Sequence, residues 1–243
     1  MFKKSISAEW LKLRHSRIWL VLIILPIISI SLGSINYYFN RGVLQNEWYS
    51  LWTQVSLFYG EFFLPILIAI CCAFICKLEH VNKNWNIIMT SPISARNIFT
   101  SKLVVITILI FMVQVFFLIL YFIVGKLFGL STQIPSETIG WIIRGCFASL
   151  TIIALQLGLS IRIKSFAAPI GISLCCIFIG LGMYIIKSGM FFPHSLLSIG
   201  MGMLSQEGLS IADNIQFFVM SILFTILFSS LAIHRLKTAD VTT

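Results

Sequence analysis

The chain has 243 residues, 17 Lys+Arg against 8 Asp+Glu, 58% hydrophobic residues and only 10% charged ones. Soluble domains carry about 25% charged residues, so a water-coated globule is excluded, as are a disordered chain, a collagen-like chain and a disulfide-stapled module. An integral membrane protein remains, and the placement of its net charge of +9 matters more than its size.

Residues 1–17 open the chain with Phe2, Ile6, Trp10 and Leu13 at helical spacing, and with Lys3, Ser7, Arg14 and Arg17 on the other side. Beside an anchor, this pattern predicts an amphipathic helix lying on the inner leaflet; the alternative is a basic leader that only sets topology. Six apolar runs follow: Ile18–Phe39, Val55–Cys76, Leu103–Val124, Gly145–Ile161, Phe166–Ile186 and Ile215–Ile233. Each is long enough to cross a hydrocarbon core about 30 Å thick. They are read as helices, because lipid leaves no partner for the backbone groups of an open strand. The first run is too long for a secretory signal and no small-x-small site follows it, so it reads as a retained anchor. Pro26, Pro65 and Pro169 lie inside spans or near their ends, and each is expected to kink its helix, because it removes one N–H and clashes with the preceding turn.

Between the second and third spans, the loop 77–102 carries Trp85, Ile88 and Met89 on one side of a short helix. Ser91-Pro92 reads as an N-cap and first helical position that restarts the chain toward the third span. An apolar knob centred on Trp85 calls for a covering partner, or else dips into the lipid interface. Late in the chain, the segment 187–214 has a Gly-rich apolar middle, Leu196–Leu204, too short to span and too apolar for a free loop. A short re-entrant or interfacial helix is expected there. No connecting piece is long enough for a core of its own, so 1–243 is a single transmembrane domain.

Orientation follows from the Lys/Arg bias. Lys3, Lys4, Lys12, Arg14, Arg17, Lys77, Lys83, Arg96, Lys102, Arg162, Lys164, Arg235 and Lys237 fall on one side. Only Arg41, Lys126, Arg144 and Lys187 fall on the other. Both termini are therefore expected in the cytoplasm. Polar groups within or bounding spans are Asn36, Glu61, Gln114, Arg144 and Gln156; such groups usually face a bundle interior or a pathway. Glu61 and Arg144 fall at similar depth near the outer surface, so they meet if their helices are neighbours and otherwise snorkel separately.

No catalytic or metal constellation stands out. G-x-x-x-x-G-K-[ST], H-E-x-x-H and G-x-S-x-G are all missing. His15, His80, His194 and His234 lie in four separate polar pieces. Cys71, Cys72, Cys76, Cys146, Cys175 and Cys176 all fall inside spans and read as small packing residues.

Six short stretches carry a resemblance: Leu11-Lys-Leu-Arg-His-Ser, Leu51-Trp-Thr-Gln, Glu79-His, Asn84-Trp-Asn, Ser91-Pro-Ile-Ser and Ser101-Lys-Leu. With the six-span pattern, they resemble permease subunits of ABC transporters of the ABC-2 type, most of all the lantibiotic self-immunity permeases of the MutE/EpiE kind. The resemblance implies an all-α, six-span protein of type-2 exporter architecture in a bacterial cell membrane. It implies no catalytic site and no cofactor of its own, with ATP-Mg bound by a separate ATPase subunit present in two copies. It implies a second permease, identical or homologous, and a peptide antibiotic expelled from the membrane; membrane lipid is a contact and nucleic acid is not. Glu79, Trp85, Asn86, Ile88, Met89 and Pro92 would form the ATPase-coupling element. Alternatives are a permease for another drug, lipid or ion, or a non-ABC accessory protein.

Overall fold

A computed structural model describes residues 2–14, 16–81, 85, 93–131, 133–203 and 208–238. The described residues are helical except for short connections, and six helices are long and apolar enough to cross a membrane. The chain begins with α1 (Phe2–Arg14) and the first span, α2 (Ile18–Phe39). The second span is composite: α3 (Glu47–Ser56), a π-helical segment (Leu57–Phe63) and α4 (Leu64–His80). The third, fourth and fifth spans are α5 (Ala95–Leu127), α6 (Glu137–Arg162) and α7 (Ala167–Ile185). A 3₁₀ turn (Gly189–Phe191) and α8 (Pro193–Gly200) precede the sixth span, α9 (Ile211–Thr238).

The first span begins and ends where its apolar run does, whereas spans two, three and four extend well past theirs. An apolar run marks only the hydrocarbon portion, while helical hydrogen bonding continues through the polar interface. The π segment has a covalent cause. Pro65 has no N–H to give the Glu61 carbonyl, and its ring would collide with that carbonyl in a regular helix. The turn upstream widens, and the Leu64 amide bonds the Tyr59 carbonyl. The start of α5 differs from the sequence expectation. Ser94, not Ser91, caps it, its hydroxyl accepting from the Asn97 amide at 3.3 Å. Ser91 and Pro92 lie outside the described residues.

The fourth span is the hub: α6 packs on α4, α5, α8 and α9. α2 packs against α3 at a backbone approach so close that a Cβ on Gly33 would lie 2.4 Å from the Val55 Cα. At the end away from the termini, aromatic rings weld spans two, three and four. Trp52 stacks on Trp141 at 4.7 Å, Tyr59 stacks on Phe117 at 3.7 Å, and Tyr121 meets Trp48 edge-on at 5.2 Å. The polar ends of these rings bond backbone: Tyr121 Oη to the Trp48 carbonyl, Trp48 Nε1 to Ser131, and Trp52 Nε1 to Met201. By contrast, α9 buries only Phe217, Ser221 and Leu236, and its Ile215, Val219, Ile222, Leu223 and Ile226 point outward. In water that surface would be untenable, whereas in hydrocarbon it is solvated. Six crossings return both termini to one side, the side the charge bias assigns to the cytoplasm.

Candidate functional site

The strongest polar arrangement lies at the end of the bundle that carries the termini. Glu79 sits in the last turn of α4, Lys102 in the second turn of α5, and Glu9 and Lys12 one turn apart on α1. Lys102 Nζ lies 2.5 Å from Glu79 Oε1 and 3.0 Å from Glu9 Oε1. Lys12 Nζ lies 2.8 Å from each of the same two oxygens. Two carboxylates and two ammoniums thus close a ring of four contacts with no net charge. Lys102 is fully buried and Glu79 nearly so, while Lys12 keeps about a third of its side chain in solvent, at 30% exposure. Burial works against the Lys12 charge, but the facing Glu79 and Glu9 outweigh it and hold the ammonium above its ordinary range. Glu9 Oε2 and Glu79 Oε2 are buried with no hydrogen-bond partner among the described residues.

The sequence brings α1 here by its stripe. Leu13 is buried and Ile6 and Trp10 are half-buried against the bundle, with Trp10 edge-on to Trp19 at 6.1 Å. Lys3, Ser7, Arg14 and Arg17 face outward as expected. Most of the apolar stripe is therefore taken up by protein, with Phe2 and Leu11 left exposed. The reason is Glu9, which sits on the packing face and draws α1 onto Lys102. Sequence reading missed Glu9, Lys12 and Lys102 as a set. Each looked like one of many charges in a basic region, and the only local signal was a carboxylate on the apolar face of an amphipathic helix.

Trp85 corrects a second expectation. It is fully buried rather than a projecting knob. Its ring is tilted against the His80 ring at 5.8 Å, and Lys102 Nζ lies 5.9 Å from its centre. An indole face beside a dehydrated ammonium is a favourable cation–π placement, and the ring shields the charge ring from water. His80 in turn bonds the Ser160 carbonyl at 3.0 Å, tying the same corner to the fourth span. Asn86, Ile88, Met89 and Pro92 lie outside the described residues.

The intramembrane polar residues separate. Glu61, in the π segment, accepts a hydrogen bond from Ser198 of α8. Arg144 donates to the Gly200 carbonyl at 3.0 Å, to Asn214 at 3.2 Å and to Glu137 at 3.4 Å. The two charges do not pair; they grip neighbouring points at the C-terminal end of the same short helix. Asn36 bonds Gln54, joining α2 to α3. Gln114 and Gln156 are fully buried with both amide atoms unpartnered among the described residues. Gly180 of the fifth span is tied to α8 within the chain, its carbonyl accepting from the Ser195 hydroxyl.

Residues 5–180 of the chain match the family described as ABC-2 family transporter protein. The chain belongs to that family. It is the membrane-spanning permease subunit of an ABC transporter, and hydrolysis belongs to an ATPase partner subunit. Neither the curated proteins nor the solved structures contain a match to this chain.

Proposed function

We propose that this permease expels an amphipathic peptide antibiotic of the lantibiotic class from a bacterial cell membrane, driven by two copies of a separate ATPase and working beside a second permease. The loop 77–102, with Glu79, Trp85, Asn86, Ile88, Met89 and Pro92, is the coupling element in this reading. The observation that carries it is the ring of Glu9, Lys12, Glu79 and Lys102. It joins both ends of the loop to α1 and to two spans. A loop pushed by the ATPase can move spans only if its base is stiff, and a dehydrated, charge-balanced ring is stiff because opening it strands charges in a dry site. Trp85 acts from inside this joint, by shielding Lys102, and the partner contact falls to the rest of the loop.

The peptide class rests on the resemblance of the motifs around Leu11–Ser16, Glu79-His80 and Ser101–Leu103 to immunity permeases. Phe2 and Leu11, exposed on α1, suit contact with the inner leaflet. The test is one strain carrying the permease, its ATPase and a lantibiotic challenge. Glu79→Gln is expected to leave the permease in the membrane, to lower the amount of ATPase co-purifying with it, and to lower resistance. Full ATPase recovery with full resistance would remove the coupling role. Full recruitment without any resistance in the wild type would remove the peptide as substrate and leave the coupling role standing.

A further inference from the structure

At the opposite end of the bundle, Arg41 follows the first span by two residues. α2 has 22 residues, about 33 Å at 1.5 Å per residue, so Arg41 stands at headgroup level when Ile18 stands at the other surface. Its guanidinium carbon lies 4.6 Å from the centre of the Phe128 ring, 4.7 Å from that of Tyr38 and 5.8 Å from that of Tyr37. Phe128 comes from the end of the third span, so the cation is seated where two spans meet. Arg41 makes no ion pair or hydrogen bond among the described residues, and it is exposed. Two of the other cations on this side are already engaged. Arg144 is consumed by Gly200, Asn214 and Glu137, and Lys126 donates to the Ser131 carbonyl. Arg41 therefore holds its planar face on aromatic rings while its five N–H donors stay unspent.

Directly beneath it, Ser34, Tyr38, Phe39 and Phe128 line an open apolar cavity of about 290 Å³. Ser34 adds no polarity, because its hydroxyl is turned to the Ile30 carbonyl. The cavity lies along the outward face of α2, where Ile35 and Phe39 are exposed to the membrane.

We infer that this groove is a lipid site: an anionic phospholipid lays an acyl chain between the first and third spans and places its phosphate on Arg41. The chemistry is complementary at both ends. A guanidinium with free donors takes a phosphate in a bidentate, charge-assisted pair. Rings that clasp its face hold the side chain in place, which lowers the ordering cost of that contact. A dry groove opening to hydrocarbon accepts methylenes and nothing polar. Glu47 acts on the same Tyr37 ring but forms no ion pair with Arg41 among the described residues, so the cation keeps its charge for the ligand.

The experiment uses the purified full-length chain in detergent, titrated with dioleoyl phosphatidylglycerol or dioleoyl phosphatidylcholine and read by native mass spectrometry. Wild type is expected to retain phosphatidylglycerol in preference to phosphatidylcholine. Arg41→Gln should weaken phosphatidylglycerol retention about tenfold, the scale of one charge-assisted contact, and phosphatidylcholine, whose choline offsets its phosphate charge, much less, so that the preference is lost. Ile35→Trp, which fills the groove while keeping the cation, should weaken both. Arg41 is exposed and outside the span, so insertion is expected to survive; Arg41→Lys, which keeps the charge but not the fork, should fall between. Equal lipid selectivity in wild type and Arg41→Gln overturns the site. So does a loss of dimers in place of a loss of lipid, which would give this face to a second copy of the chain.

Discussion

Replacing Lys102 with Met is the sharpest probe of the charge ring. Lys102 Nζ faces Glu79 at 2.5 Å and Glu9 at 3.0 Å, and its side chain has no solvent exposure. At an effective dielectric of ~20, each attraction is worth about 6 kcal/mol, against a desolvation penalty of several kcal/mol per ion. Removing this partner from a buried pair is therefore expected to cost ~3–5 kcal/mol, because two carboxylates are left in a dry site facing only Lys12. Lys12→Met removes contacts of similar length, but from a side chain 30% exposed. Its cost should be nearer ~1 kcal/mol. Adding Glu9→Gln to Lys102→Met leaves a one-to-one Lys12–Glu79 pair, so the double variant should be less destabilised than the sum of the singles by ~1 kcal/mol or more. The assay is the thermal midpoint of the purified permease, with co-purifying ATPase measured on the same preparations. Equal, small effects of Lys102→Met and Lys12→Met, or strict additivity with Glu9→Gln, would refute the view that buried charge stiffens this joint.

Trp85→Ala empties a fully buried site and should cost ~3–5 kcal/mol, whereas Trp85→Phe keeps a ring over Lys102, discards an Nε1 with no partner among the described residues, and should retain ATPase recovery near wild type in the same pull-down. Gly33→Ala forces a Cβ to 2.4 Å from the Val55 backbone and is expected to cost ~1–3 kcal/mol by overpacking, seen as a lower thermal midpoint. Gly202→Ala combines a φ of +59° with a Cβ 2.6 Å from Trp141 Nε1, and should loosen the segment after α8, read as faster hydrogen exchange there. His194, buried in α8 with both ring nitrogens unpartnered among the described residues, is pushed down by burial from 6.5 to about 4. Its neutral form is the folded one, so the stability it contributes is complete above pH 6.5 and falls as pH drops from 6.5 toward 4. The loss is bounded at roughly 3 kcal/mol. Hydrogen exchange in 193–200 should rise over that window in the wild type and stay flat in His194→Leu.

Local chemistry determined the number and type of elements. Hydropathy over about twenty residues is a property of the chain alone, and in hydrocarbon an unpaired backbone has no alternative to a helix. The first span, Ile18–Phe39, could therefore be read from the sequence to the residue. The amphipathic spacing of α1 was legible too, whereas the sequence treated Pro26, Pro65 and Pro169 alike and did not show that a π segment would form before Pro65. Tertiary structure decided which charges meet. Glu9, Glu79 and Lys102 come from three elements far apart in sequence, and nothing in a run of basic residues marks the one that will lose its water. The same packing hid Trp85 against Lys102 instead of exposing it. It also turned Glu61 and Arg144 onto α8 rather than onto each other, because the helix between the last two spans offers them Ser198 and the Gly200 carbonyl. Hydrophobicity is additive along a chain, whereas the pairing of buried polar groups depends on which helices become neighbours, and only the assembled bundle holds that information.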